Sequence, residues 1–202
     1  MGKPKVKERL GQVETPFHVA KHMVVLLLEG IDVHEGIRIL DAGCGHGVFI
    51  QAIISYVNEK NLPMPEIVGV EIDPNIADIV RRKFKDIPKV RIVTADFLTL
   101  SSRELEVFDL VISNPPYVSY EAIDPELREV YKQMFKVARG RFDLYFLFFE
   151  KALEFLHEGG RMVFITTEKF MYTLSAADLR RLLSKYYVKI LEFIDEKVFA
   201  GV

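Results

Sequence analysis

The sequence holds one cysteine, Cys44, in 202 residues. A single thiol excludes an intramolecular disulfide and any multi-cysteine metal cluster, so a reducing, cytoplasmic setting is the default and no metal site is expected. Long apolar runs are lacking too. The longest, around Met23 to Leu28, falls far short of the roughly 18 residues that a membrane span needs. The opening MGKPKVKERLG is basic but has no apolar stretch or small-residue cleavage site behind it, so no signal peptide is expected there. Asn and Gln together number seven, a scarcity of thermolabile amides found in heat-adapted proteins. Repeats, low-complexity tracts and linkers are absent, and the length fits one domain with a substantial core.

A basic excess is also missing. Lys and Arg total 27 against 29 Asp and Glu, for a net charge of −2. Phosphate neutralisation supplies much of the affinity for nucleic acid, so a whole nucleic-acid-gripping protein would show a basic footprint. Local basic groups stand at Lys3, Lys5, Lys7 and Arg9, at Arg81 to Lys85, and at Arg139 and Arg141. A tail and a solvated helix face account for the first two.

What is present is an alternation of helix-like and strand-like segments. Thr15-Pro16 predicts an N-cap with proline in the first turn, opening a helix to about Glu29. Strands are expected at 38–40, 67–70, 90–93, 108–112, 161–165 and 188–194, with helices at 48–59, 75–84, 142–156 and 176–186 between and after them. Such alternation predicts an α/β fold with a parallel sheet covered on both faces. Ligands of such sheets sit beyond the carboxyl ends of the strands. The residues at four successive strand ends are Asp41, Glu71, Asp96 and Asn114, all polar.

The first strand runs into Asp41-Ala42-Gly43-Cys44-Gly45-His46-Gly47. Glycines permit a tight turn and close backbone approach to a ligand at a helix N-terminus. One residue separates the second glycine from the third, a departure from the dinucleotide fingerprint G-x-G-x-x-G. The leading acid suits a cationic amino acid better than a pyrophosphate. Glu71, in Val-Gly-Val-Glu-Ile-Asp, can accept from both hydroxyls of a ribose. Asp96 can accept from an adenine amino group, with Ile72 and Phe97 as apolar faces.

The fourth strand leads into Ser113-Asn114-Pro115-Pro116-Tyr117. Two prolines stiffen the backbone and remove two N–H donors. The Asn114 side-chain carbonyl and the Pro115 main-chain carbonyl can then accept from one NH2 group, and Tyr117 offers a flat face for stacking. Two acceptors favour a pyramidal nitrogen, which suits attack by a conjugated, weakly nucleophilic amine on a methyl sulfonium.

Asn-Pro-Pro-Tyr resembles the catalytic motif of amino-group methyltransferases, which act on adenine in DNA, guanine in RNA or glutamine in proteins. Three further stretches resemble the TaqI-type adenine-N6 DNA methyltransferases of restriction-modification systems: Gly11-Gln-Val-Glu-Thr-Pro, Gly140-Arg-Phe-Asp-Leu-Tyr-Phe-Leu-Phe-Phe-Glu-Lys-Ala-Leu and Gly159-Gly-Arg-Met-Val-Phe-Ile. The order of motifs, with Thr-Pro before the glycine turn, is the gamma order of that family, and the resemblance runs from about Gly11 to Phe199. It implies the Rossmann-like, doubly wound class I methyltransferase fold, mostly parallel, with S-adenosylmethionine as cofactor and DNA as partner. By the same resemblance, Thr15 and Asp41, Ala42, Gly43 and Gly45 would hold the methionine part of the cofactor, Glu71 its ribose and Asp96 its adenine. Phe148 would pack near the cofactor, or serve as plain helix core. Asn114, Pro115 and Pro116 would carry the catalytic loop, and Tyr117 and Phe199 would sandwich a flipped adenine. Thr166-Thr167 stands where the family often has Val-Pro, which leaves that part of the target pocket open.

Glutamine methyltransferases of peptide release factors share Asn-Pro-Pro-Tyr, but normally carry a recognition domain ahead of the catalytic one. RNA guanine methyltransferases are a second alternative, and a non-catalytic cofactor-binding subunit a third. The expected organisation is a basic tail over residues 1–14 and a catalytic domain over 15–202. The seventh, antiparallel strand and a target-recognition domain are expected elsewhere, on another polypeptide or beyond a truncation.

Overall fold

A computed structural model describes residues 13–189 and 192–194 of the protein. Five strands form one sheet in the order β3-β2-β1-β4-β5. They are β1 (Arg38–Ala42), β2 (Glu66–Glu71), β3 (Val90–Thr94), β4 (Phe108–Ser113) and β5 (Leu156–Phe164). Every pairing is parallel. Ile39, Leu40, Ile67, Val68, Val111 and Ile112 are fully buried, the continuous apolar pattern of strands covered on both faces.

The helices are α1 (Phe17–Leu28), α2 (Val48–Glu59), α3 (Pro74–Lys83), the single turn α4 (Ser102–Leu105), α5 (Pro125–Met134), α6 (Leu144–Phe155) and α7 (Ala177–Leu183). Helix α3 shows how local chemistry sets its ends. The Asp73 side chain accepts from the N–H groups of Asn75 and Ile76, Pro74 fills the first turn, and Arg81, Arg82 and Lys83 occupy the last. That order matches the orphan donors and the partial charges of a helix. Helix α1 is pinned at its other end: Arg161 Nη1, on β5, donates to the carbonyls of Leu26, Leu27 and Glu29 at 3.3, 3.0 and 2.9 Å. These are carbonyls that a helix C-terminus leaves without intrahelical partners.

The chain divides into two compact units. One comprises residues 14–114 and 152–165 and contains the whole sheet. The other comprises Val13, residues 115–151 and the described residues from 166 onward.

The α/β reading and the first four strands agree with the structure, and four expectations are corrected. Pro16, not Thr15, takes the N-cap position of α1, with φ −59° and ψ 141° and no side-chain cap bond. Strand β5 begins at Leu156 and not at Arg161, because the pairing slips between Phe108↔Leu156 and Leu110↔Arg161. Gly159 takes φ +82°, and at Gly160 a Cβ would lie 2.8 Å from the Asp109 carbonyl, so the slip needs both glycines. The segment 125–134, for which no helix was expected, is α5, started by Asp124 accepting from the Glu126 N–H. A sixth strand at 188–194 is not formed at the described residues 188, 189 and 192–194, where Val188 and Phe193 stand exposed. Val188 and Phe193, left exposed, bury no apolar surface that would offset the ordering of a strand there.

Candidate active site

In the sheet, chain direction reverses its march between β1, which leads outward to β2 and β3, and β4, which leads to β5. Ligand crevices of open α/β sheets form at such a switch point. Here the two strand ends are tied: Ser113 Oγ donates to the Ala42 carbonyl at 2.6 Å. Asp41 and Asn114 therefore stand on adjacent strands at the switch point.

The glycine turn after β1 is shaped by backbone requirements. Gly43, Gly45 and Gly47 have φ of +77°, +50° and +76°, a region that costs other L-residues roughly 1–2 kcal/mol. At Gly47 a Cβ would also lie 2.7 Å from the Phe84 ring. The turn is held to β2 by Cys44 N donating to the Val70 carbonyl at 2.8 Å and Gly45 N donating to Glu71 Oε2 at 2.9 Å. Glu71 Oε1 accepts from Asp73 N at 2.8 Å. One buried carboxylate thus joins the turn after β1 to the turn after β2, and each of its oxygens retains acceptor capacity.

Asp41 is fully buried, and among the described residues neither of its carboxylate oxygens has a hydrogen-bond partner. Burial pushes its pKa well up, and the negative charge of Glu71 adds to the effect. The Cys44 thiol is raised by burial first and then by Asp41 and Glu71, so it stays protonated and inert. Two acids in a dry site, one of them unsatisfied, form a receptor for a cation with N–H groups. The α-amino group and sulfonium of S-adenosylmethionine have that chemistry, and the residues present fit it.

Asn114 follows β4 directly, and its Nδ2 donates to Thr15 Oγ1 at 2.9 Å. Thr15 is buried. Asp96 is half-buried after β3, with Oδ1 accepting from Leu98 N at 3.0 Å. Ile72 is exposed, whereas Phe97 lies in the core with its ring 5.6 Å from that of Phe155. Phe148 is buried on α6. Thr15, the glycine turn, Glu71, Ile72, Asp96, Phe97 and Asn114 all belong to the unit that contains the sheet.

The chain passes into the second unit at the Asn114-Pro115 peptide. Pro115 is buried, and Pro116 and Tyr117 are half-buried. The Tyr117 ring sits 6.1 Å from that of Tyr145, tilted by 58°. Burial, and then the neighbouring Tyr145, push the Tyr117 phenol well above its ordinary pKa, so it offers a neutral ring face and no base. Tyr145 is itself pushed up to about 12, by burial first. Neither Tyr145 OH nor Thr166 Oγ1 completes a hydrogen bond among the described residues. Phe199 lies outside the described residues.

Sequence reasoning did not find three features: the need for Gly47, the Thr15–Asn114 contact and the buried hydroxyls of Tyr145 and Thr166. The third glycine of G-x-G-x-G was a local signal for the first. A contact between residues 99 positions apart leaves no local signal.

Residues 71–199 match the family model of the Eco57I restriction-modification methylase. Residues 11–98 match that of protein-L-isoaspartate (D-aspartate) O-methyltransferase. The chain is 32% identical over 183 residues to the type II methyltransferase M.TthHB8I of Thermus thermophilus, covering 87% of the chain and 39% of the relative. It is 30% identical over 205 residues to the type II methyltransferase M.HincII of Haemophilus influenzae, covering 97% and 36%. The chain thus spans less than two-fifths of the length of these curated relatives. Among solved structures, its fold is similar to a putative class I S-adenosylmethionine-dependent methyltransferase from Listeria monocytogenes (TM-score 0.67, 18% identity, 91% of this chain and 54% of that one). It is also similar to the type I restriction-modification methyltransferase subunit from Streptococcus thermophilus (TM-score 0.67, 20% identity, 86% and 38%).

Proposed function

This chain belongs to the Eco57I restriction-modification methylase family, and from that premise we propose that it methylates the exocyclic N6 amino group of adenine in DNA. Its cofactor is S-adenosylmethionine. When bound, this cofactor would supply an electrophilic methyl carbon on a sulfonium sulfur, with a neutral thioether as the leaving group. Asp41 would accept from the cofactor's cationic amino end, Glu71 from the ribose and Asp96 from the adenine.

The observation that carries the reading is the state of Asn114. Its NH2 group donates to Thr15 Oγ1, and its side-chain carbonyl has the acceptor chemistry that an amino group needs. The next residue, Pro115, adds a main-chain carbonyl and brings no N–H donor. Two acceptors hold the two hydrogens of an amino group and draw its lone pair out of conjugation, and the surplus proton leaves to water. The amino group of a paired adenine is out of reach within a duplex, so the base must swing out and be held. Tyr117, neutral and half-buried, provides one stacking face, and Phe199 would provide the other. The absence of an overall basic excess agrees with a chain whose main task is chemistry on a base and not grip on a backbone.

The test is transfer of tritiated methyl to duplex DNA, to RNA and to release factor in parallel, with base analysis of the product. Label in N6-methyladenine is the expected outcome. Label in guanine of RNA or glutamine of protein would assign the loop to another amine.

A further inference from the structure

The net charge of −2 is unevenly spread along the chain. Residues 166–189 hold five cations and two acids, against 22 and 27 in the remainder. Both acids of the segment are engaged within it: Asp178 pairs with Arg181, and Glu168 accepts from the Tyr172 hydroxyl at 3.3 Å. Lys185 and Lys189 stand exposed and meet no carboxylate among the described residues. Between them the surface is apolar, with Tyr186 50% exposed, Tyr187 90% and Val188 59%. Single exposed apolar side chains are ordinary, whereas contiguous ones flanked by unpaired charge mark an interaction surface.

The segment belongs to the unit that contains Tyr117 and Tyr145. The Phe170 ring lies 6.4 Å from that of Phe149 on α6. Tyr172 is within electrostatic reach of Tyr145, whose ring is 6.1 Å from that of Tyr117. Arg180 Nη1, on α7, donates to the Phe170 and Thr173 carbonyls at 2.8 and 2.7 Å, which ties the helix leading to Lys185 back to that part of the unit. Ammonium groups set around flat phenol rings match a polynucleotide, whose phosphates repeat along the backbone and whose bases offer π faces. A second copy of the chain, meeting this patch with its own, would set lysine against lysine. We propose that the run 185–189 grips the DNA strand beside the target base: Lys185 and Lys189 meet its phosphates, and Tyr187, with Tyr186, stacks on a base left open where the target swings out. The proposal rests on DNA as the substrate, and it gives a chain without an overall basic excess a local site of attraction.

Binding of the purified chain to a fluorescent single-stranded DNA, followed by anisotropy over a series of salt concentrations, tests it, because a single strand offers both phosphates and open bases. Each lysine–phosphate contact on a single strand adds about 0.7 to the slope of log affinity against log salt, so Lys185→Gln/Lys189→Gln should flatten the slope by about 1.4. Tyr187→Ala should weaken binding about ten-fold at every salt concentration, while Tyr187→Phe, which keeps the ring, should bind as the wild type does. Lys60→Gln removes an exposed cation from the other unit and should change neither slope nor affinity. Cofactor affinity by calorimetry, the same in every variant, checks that each is folded. An unchanged slope in the double lysine variant, or wild-type affinity in Tyr187→Ala, overturns the proposal. Tighter binding to an RNA of the same sequence overturns it too, as does a wild type that binds no DNA but whose sedimentation shifts with Tyr187→Ala, the mark of a protein interface. The substrate reading fails separately: methyl label in protein, with the slope and stacking effects on DNA intact, would refute that reading and leave the grip standing.

Discussion

Replacing Asp41 by Asn tests the electrostatic design of the cofactor site most directly. Asp41 is fully buried, without a hydrogen-bond partner among the described residues, and its neighbour Glu71 carries the same charge. Its pKa is raised by burial first and by Glu71 second. A carboxyl with a raised folded-state pKa binds more protons folded than unfolded, so stability is lost as pH climbs from about 3.9, the ordinary Asp value, through the raised value. At pH 7 the ligand-free protein carries the cost of an uncompensated buried group, about 1–3 kcal/mol. Asn keeps the shape and removes the charge. The Asn amide stays as unsatisfied as the carboxyl, so only the part of the cost that belongs to charge, about 1 kcal/mol, is relieved. For a chain of this size that moves Tm by about 2–4 °C, and Asp41→Asn should raise the ligand-free Tm at pH 7 by that amount. The gain should shrink toward pH 4. The same variant should lose the cofactor's effect: a ligand at a hundred times its Kd adds about 2.7 kcal/mol to the wild type, and at that concentration the variant should show no shift. Scanning calorimetry at pH 7 and pH 4, with and without S-adenosylmethionine, measures all four quantities. A ligand-free Tm that falls at pH 7, or a full cofactor shift in the variant, would refute the reasoning.

Three further outcomes are expected. His157 Nε2 lies 2.6 Å from Asp109 Oδ1, and that bond, with the Glu158 carbonyl on the other ring nitrogen, raises the His157 pKa. A raised His contributes below its ordinary value near 6.5 and is lost as pH rises through the folded value, while at this exposed site the pair is worth at most about 1 kcal/mol. His157→Gln should therefore cost stability at pH 5.5 and nothing at pH 9 by urea titration; equal cost at both would deny the ion pair. At Gly69, mid-strand in β2, a Cβ would lie 2.9 Å from Cys44 Sγ and 3.0 Å from Ile92 Cδ1, so Gly69→Ala should destabilise by about 1–3 kcal/mol through overpacking; an unchanged urea midpoint would contradict it. Thr166 Oγ1 is buried without a hydrogen-bond partner among the described residues, and Thr166→Val should leave the urea midpoint unchanged or raise it by up to about 1 kcal/mol, whereas a marked loss would mean that the hydroxyl is bonded in solution.

The parts of the molecule that were legible in the sequence are those fixed by short-range chemistry. Alternating segments announced the sheet, and β1 to β4 lie where their apolar runs stand. The acids at the strand ends were legible because a polar residue closing an apolar strand has few uses other than a ligand or a cap. The glycine turn was legible because left-handed backbone demands glycine. What failed depended on distant partners. Thr15 reads locally as a helix cap, and its bond to Asn114 spans 99 positions. The start of β5 was misplaced because Gly159-Gly160 reads as a helix stop, whereas those glycines serve a slip in pairing against β4. The segment 125–134 is an exception, because its cues were local: the start signal Asp124-Pro125 and the apolar residues Leu127, Val130, Tyr131 and Met134 at helical spacing both point to α5. Ile72 and Phe97 show a similar limit: a pattern places two apolar side chains near one strand end, but which is exposed and which is core depends on packing against Phe155.

The excursion of the chain between β4 and β5 also has a consequence for biosynthesis. Four of the five strands, and Thr15, Asp41, Glu71, Asp96 and Asn114, precede residue 115. The 42 residues between Ser113 and Leu156 then emerge before β5 can pair. At about 5–20 residues per second, β4 waits roughly 2–8 s as an open edge, a template for any extended segment nearby. Arg161 arrives with β5, so the clamp on α1 closes last. Ribosome-bound chains arrested with residue 114 outside the tunnel should already resist proteolysis across β1 to β4, while α1 remains cleavable. If β1 to β4 stay cleavable until β5 emerges, the sheet assembles in one step and the nascent chain has no such vulnerable interval.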